Sequence, residues 1–258
     1  MLITGESGAG KTENTKKVIT YLAMVAAGAG AKKDTKKVSL EDQIVATNPI
    51  LESYGNAKTA RNDNSSRFGK FIRIHFTSSG KLCGCDIVSY LLEKSRITEQ
   101  QEVERSYHIF YQLLQPYGDG ICEGGLRAKC RTSEDIYDYI YVSQGKTKVD
   151  SIDDNEELEY TEDAFNVLGF SPDEKFDCYM LTAAVMTCGG VEFKTKGRDD
   201  QAECEAIGSA KISKYFSNDI LRPRHLPWES CWRPASGCFP PDQGVLQAED
   251  QGRHGVGD

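Results

Sequence analysis

Eight residues near the start of the chain, Gly5-Glu6-Ser7-Gly8-Ala9-Gly10-Lys11-Thr12, fit the pattern G-x-x-x-x-G-K-[ST]. Their chemistry is that of a loop that wraps phosphate. Glycines let successive backbone N–H groups turn inward around phosphate oxygens, where a Cβ would obstruct the turn. Lys11 supplies a point charge for the β- and γ-phosphates of a nucleoside triphosphate, and the Thr12 hydroxyl is placed for Mg²⁺. A second stretch, Asn56 to Lys70, is too rich in Asn, Ser and Arg to be core. Beside a phosphate loop, its hydroxyls can complete Mg²⁺ coordination and its amides can hold phosphate oxygens. Such a chain can also rearrange when the γ-phosphate leaves. On its own, the same composition describes only a loop.

These residues need elements to hold them. Met1-Leu2-Ile3-Thr4 reads as the end of a buried strand, and Glu13 to Ala27 as a helix whose positive end faces the phosphates. A strand of this kind ordinarily has neighbours, so more chain is expected before Met1. Val18, Ile19, Leu22, Val25 and Ala26 make one apolar helix face. Glycines and the basic run Lys32 to Lys37 follow, read as a solvated surface loop. Ser39 is an N-cap for a second helix, with Asp42 in its first turn. Asn48-Pro49 is expected to break it before a short helix ending at Gly55.

From Phe71 the pattern changes to period two. Ile72, Ile74 and Phe76 alternate with Arg73 and His75, and Ser78-Ser79-Gly80 turns into Lys81 to Tyr90, a hairpin feeding a larger sheet. Val103 to Leu114 reads as an amphipathic helix ended by Pro116 and Gly118. His75 and His108 have no evident catalytic partner and are read as structural. Asp153 to Glu157 reads as a solvated acidic connection, followed by a short helix, Thr161 to Leu168. Ser171-Pro172-Asp173-Glu174 gives a capping box opening an apolar helix that Gly189-Gly190 stop. Beyond about residue 205 prolines and glycines leave no period, so 205–258 is expected to be irregular.

Bulk properties narrow the class. A chain of 258 residues with net charge −8 and 27% charged residues has the composition of a soluble globular protein, not of a nucleic-acid binder. The nine cysteines form no C-x-x-C pair, which suits free thiols in a reducing compartment; Cys83 and Cys85 are read as packing on one strand face. No stretch is long and apolar enough to span a bilayer, so the expected location is cytoplasmic.

Several phrases together resemble one family. Gly5 to Val18 (GESGAGKTENTKKV) and Asn62 to Phe71 (NDNSSRFGKF) look like the P-loop and switch I of a myosin heavy chain. Tyr90 to Arg96 (YLLEKSR) and Glu104 to Leu114 (ERSYHIFYQLL) resemble the same motor domain in the same order, closest to the conventional, muscle-type class. Kinesins share S-S-R in their switch loop, but there Ser-His follows, not Phe-Gly-Lys. The resemblance implies an α/β fold: a P-loop NTPase core with an incomplete sheet and a largely helical upper subdomain. It covers residues 1–204, with 205–258 a divergent tail.

Carried over by residue, the resemblance implies that ATP phosphates are held by Gly5, Glu6, Ser7, Gly8, Ala9, Gly10, Lys11, Thr12 and Asn62. Thr12 and Ser66 would be Mg²⁺ ligands. Lys11, Ser65 and Arg67 would serve catalysis, with Ser65 positioning the γ-phosphate and attacking water and Arg67 pairing with a switch II glutamate. Lys32 to Lys37 would lie near the pocket and influence nucleotide release. The implied partners are ATP and actin filaments in the cytoskeleton, with no nucleic acid or membrane, and a parent protein dimerised through a tail. No D-x-x-G-F-E phrase occurs in the chain, so the Asp for Mg²⁺ and the Glu for Arg67 are missing from it. Hydrolysis by this chain is therefore expected to be very poor. The competing reading is a non-catalytic product that at most binds nucleotide.

Overall fold

The computed structural model describes residues 1–6, 8–27, 40–191, 193–195 and 202–204. The expectations for Ser7, the basic run Lys32 to Lys37, the Ser39 cap and residues 205–258 lie outside the described residues.

Helix α1 (Lys11–Ala27) leaves the glycine loop, and α2 (Leu40–Gly55) packs across it. Asn48-Pro49 does not break α2, which runs on as one helix with Pro49 inside it. Proline lacks the N–H that would bond to the Val45 carbonyl. The Asn48 side-chain amide donates to that carbonyl instead, at 3.0 Å, so the acceptor is not orphaned. Residues 1–4 form no strand; Met1 and Leu2 are exposed, and no described strand lies beside them to complete a ladder.

Short strands β1 (Asn56–Ala57) and β2 (Ser65–Ser66) close the polar loop as an antiparallel pair. The hairpin follows: β3 (Gly69–Phe76) pairs with β4 (Leu82–Tyr90) around a turn in which Gly80 takes φ +79°. It feeds no larger sheet among the described residues, where each sheet has two strands. Ile72 and Ile74 cover a small core of Ile19, Ile44 and Cys85 between α1, α2 and the hairpin. A register shift between His75 and Phe76 interrupts the alternation, and Phe76 is exposed instead of joining Ile72 and Ile74. Val25 likewise lies exposed, so the apolar face of α1 is shorter than its spacing suggests.

Helix α3 (Ser95–Thr98) leads to α4 (His108–Gln112), a much shorter helix than the periodicity of 103–114 predicts. The reason is pairing and burial. Arg105 N–H donates to the Lys58 carbonyl and Tyr107 bridges Ala57, which holds this approach extended. All five α4 residues are buried, so no solvent face exists. Short turns α5 (Gly118–Ile121) and α6 (Leu126–Lys129) and two 3₁₀ turns, Ile136–Asp138 and Ile140–Val142, surround it.

The acidic run is no loose connection. Asp153 caps α7 (Asp154–Val167), accepting from the N–H groups of Asn155 and Glu156, and acidic residues fill its positive first turn. That adds a turn and more to the helix expected from Thr161. Helix α8 (Pro172–Cys188) opens on the full capping box, Ser171 and Glu174 each accepting from the other's backbone N–H. The pair β5 (Phe193–Thr195) and β6 (Ala202–Cys204) ends the described chain. The main core gathers Tyr107 to Leu114 with Leu158, Phe165, Tyr179 and Met186 from α7 and α8.

Candidate nucleotide site

The loop from Gly5 to Lys11 has the backbone that its glycines allow. Gly8 and Gly10 take φ of +82° and +75°, a region costly to residues with a Cβ. Ala9 N–H bonds to the Glu6 carbonyl at 3.2 Å, and α1 begins at Lys11. The Lys11 ammonium turns into the mouth of this loop and donates to the carbonyls of Gly5 (2.7 Å) and Glu6 (2.6 Å).

The polar loop is ordered by its own side chains. The Thr59 hydroxyl accepts from Asn62 N–H, Asn62 Oδ1 accepts from Asn64 N–H, and the β1–β2 pair aligns Ala57 with Ser65 and Asn56 with Ser66. It faces the glycine loop closely: a Cβ built on Gly8 would lie 4.0 Å from Asn62 Nδ2. Between the two runs a cavity of about 450 Å³. Gly8, Ala9, Gly10, Lys11 and Thr12 line one side, and Asn62, Ser65, Ser66 and Arg67 the other. Gly5 and Glu6 stand outside the lining and act through the carbonyls that hold Lys11.

Two lining residues, Glu13 and Glu52, escape the sequence reading, and two more, Asn56 and Asn64, lie in its polar stretch without being singled out there. Glu52 shows why. It lies within α2 with no motif around it, yet it ion-pairs with Lys16 of α1 at 3.0 Å and accepts from Asn64 Nδ2 at 3.1 Å. Only the packing of α2 against α1 brings it there.

Arg67 has a partner within this chain. Its Nε donates to Glu93 at 2.6 Å and one of its two terminal nitrogens, Nη1, to the Ser65 hydroxyl at 3.2 Å. Leu91 takes φ +56°, unusual for a side chain with a Cβ, where the chain turns after β4. Glu93 N–H then bonds to the Arg67 carbonyl at 3.0 Å. Glu93 also accepts from Arg96 at 2.9 Å, and Arg96 reaches Glu104. Partial burial works against the Glu93 carboxylate, but hydrogen bonds from Arg67 and Arg96 outweigh it and hold its pKa below the usual range.

The donor set suits a hard cation only in company. Thr12 and Ser66 offer two neutral hydroxyl oxygens to the same cavity, and no three acidic, His or Cys side chains among the described residues are placed to hold a metal ion. Magnesium held here would need phosphate oxygens and water to fill its octahedron, the manner in which it accompanies nucleotides.

A glycine-rich turn that opens a helix, with a Lys in its mouth, thus faces a hydroxyl-rich loop across one polar cavity. The model of the myosin head (motor domain) matches residues 1–220. Among curated relatives, Myosin-1 of Caenorhabditis elegans is 56% identical over 213 residues, which cover 82% of this chain and 11% of the relative. The chain therefore belongs to the myosin head family, and it spans about a ninth of that relative's length. Membership implies a P-loop NTPase fold, and the described helices and small sheets are consistent with part of one. No helix among the described residues is long and apolar enough to cross a membrane.

Proposed function

We propose that this chain is a piece of an actin-based motor that binds Mg·ATP between its P-loop and switch I. The observation that supports the reading is the shared cavity, with Lys11 and Thr12 on one side and Asn62, Ser65, Ser66 and Arg67 on the other. Lys11 exchanges its two neutral carbonyl acceptors for anionic β- and γ-phosphate oxygens, so that both donor and acceptor of each bond are charged. Backbone N–H groups of Gly5 to Thr12 cradle the phosphates and Asn62 adds an amide. Thr12 and Ser66 would hold Mg²⁺, which when bound would supply charge neutralisation to the phosphates. Ser65, held by Arg67, positions the γ-phosphate and the water that attacks it.

Residues 1–204 act as the motor piece, with 205–258 a divergent tail. The parent protein hydrolyses ATP to move on actin filaments in the cytoplasm and dimerises through another part of its chain. This chain alone turns ATP over poorly. It contains no D-x-x-G-F-E, and its Arg67 is engaged by Glu93. Equilibrium dialysis with Mg·ATP tests the reading. The folded 258-residue chain takes up one equivalent, and Lys11→Ala abolishes uptake while leaving the circular dichroism unchanged. Absence of uptake by a chain that melts cooperatively would sink it.

A further inference from the structure

Behind the switch loop lies a set of buried polar side chains that the phosphate chemistry does not use. Arg105 is wholly buried. Its guanidinium grips the Asp154 carboxylate through both terminal nitrogens, donates to the Thr147 carbonyl, and lies 4.1 Å from the Tyr111 ring centre. One of those nitrogens also contacts His108 Nδ1 at 3.1 Å, and His108 Nε2 contacts Asn64 Oδ1 at 3.2 Å.

The chemistry of these groups fixes the direction of every bond. Arginine can only donate, so Nδ1 of His108 is the unprotonated, accepting nitrogen and Nε2 carries the proton. Asn64 must then present its oxygen to His108. Two other contacts agree: Asn56 Nδ2 donates to the same oxygen at 2.8 Å, and Asn64 Nδ2 donates to Glu52 at 3.1 Å. A second tie joins the same two regions, Ser151 Oγ donating to Asp63 Oδ2 at 2.6 Å, with Lys58 on the other Asp63 oxygen at 2.8 Å.

We propose that Asp154, Arg105, His108 and Asn64 form a positioning relay by which the start of α7 presets the switch loop for nucleotide, a role that rests on the nucleotide-binding reading above. None of the first three lines the cavity; they act through Asn64, which does. The relay holds the loop in its binding shape before ligand arrives, so its loss appears as weaker affinity and not as loss of phosphate contacts.

A double-mutant cycle on the full chain tests this, with a fluorescent ATP analogue and Mg²⁺ as the probe. Asn64→Ala and His108→Phe each weaken binding about fivefold to tenfold, since each breaks the contact between these two side chains. The double variant is no weaker than the worse single, since both break one connection. His108→Gln, which offers an acceptor and a donor at similar reach, recovers part of the affinity. In the ¹⁵N spectrum wild-type His108 shows the Nε2-protonated tautomer. Wild-type affinity in Asn64→Ala or His108→Phe, multiplicative losses in the double variant, or an Nδ1-protonated His108 each overturn the relay. If His108→Phe does not fold, the exposed-loop variant Asn64→Ala carries the affinity test. A wild-type chain that takes up no analogue overturns the nucleotide reading and this role with it.

Discussion

His108 makes the chain acid-sensitive by an amount that can be worked out. Burial foremost, then the adjacent Arg105 charge, with Asp63 opposing, lower its pKa from 6.5 to about 3. In the unfolded chain the imidazole takes up a proton below pH 6.5, while in the folded chain it stays neutral. The unfolded state then binds more protons, so stability present above pH 6.5 drains away as pH falls towards 3. Lowering the pH from 7 to 5 removes about 2 kcal/mol through this one group, at 1.36 kcal/mol per unit once the unfolded imidazole is charged. His108→Gln has no such proton to bind. Urea unfolding followed by circular dichroism at pH 7 and pH 5 reads the difference, with linear extrapolation of each transition. Wild type should lose about 2 kcal/mol more than the variant between the two pH values. Equal losses, or a His108 ring signal titrating near its ordinary range, would refute the account of a locked neutral histidine.

Three further outcomes follow from the same geometry. Asp154→Ala strands the Arg105 guanidinium in the interior, so about 3–5 kcal/mol of stability is lost in chemical unfolding. Asn48→Ala leaves the Val45 carbonyl without its substitute donor above Pro49 and costs about 1 kcal/mol in the same assay. Glu157 is held above the ordinary carboxylate range by burial first, then by Glu52, Glu156 and Asp154. The unfolded chain releases that proton at lower pH, so stability falls as pH rises through the raised pKa. Glu157→Gln therefore raises the melting temperature at pH 7 and leaves it unchanged at pH 4; no change at pH 7 contradicts the assignment.

Sequence spacing captured the local parts of this molecule well. The turn chemistry of Gly8 and Gly10, the capping box at Ser171 and the hairpin turn at Gly80 are properties of neighbours in the chain, and all are visible as patterns. Failures arise where distant groups decide. Pro49 looks like a helix end until the amide of Asn48 is seen to replace the missing donor. The spacing of Val103 to Leu114 promises a long helix, but a backbone bond to Lys58 and a bridge to Ala57 pull its first half straight. Asp153 to Glu157 reads as solvated acid because nothing local reveals that a buried arginine 49 residues away needs Asp154. The two halves of the candidate site were legible as motifs. Their approach across one cavity, and the part taken by Glu52, Asn64 and Glu93, came only with packing.

Amide hydrogen exchange with and without Mg·ATP bears most directly on the claim that these two loops form one nucleotide site. It reads local opening along the backbone, and a ligand gripped from both sides slows opening on both. Residues 5–12 and 56–67 should gain protection together, at the same nucleotide concentration, and neither should gain any in Lys11→Ala. Protection of one segment without the other, or of neither in a folded chain, would contradict it.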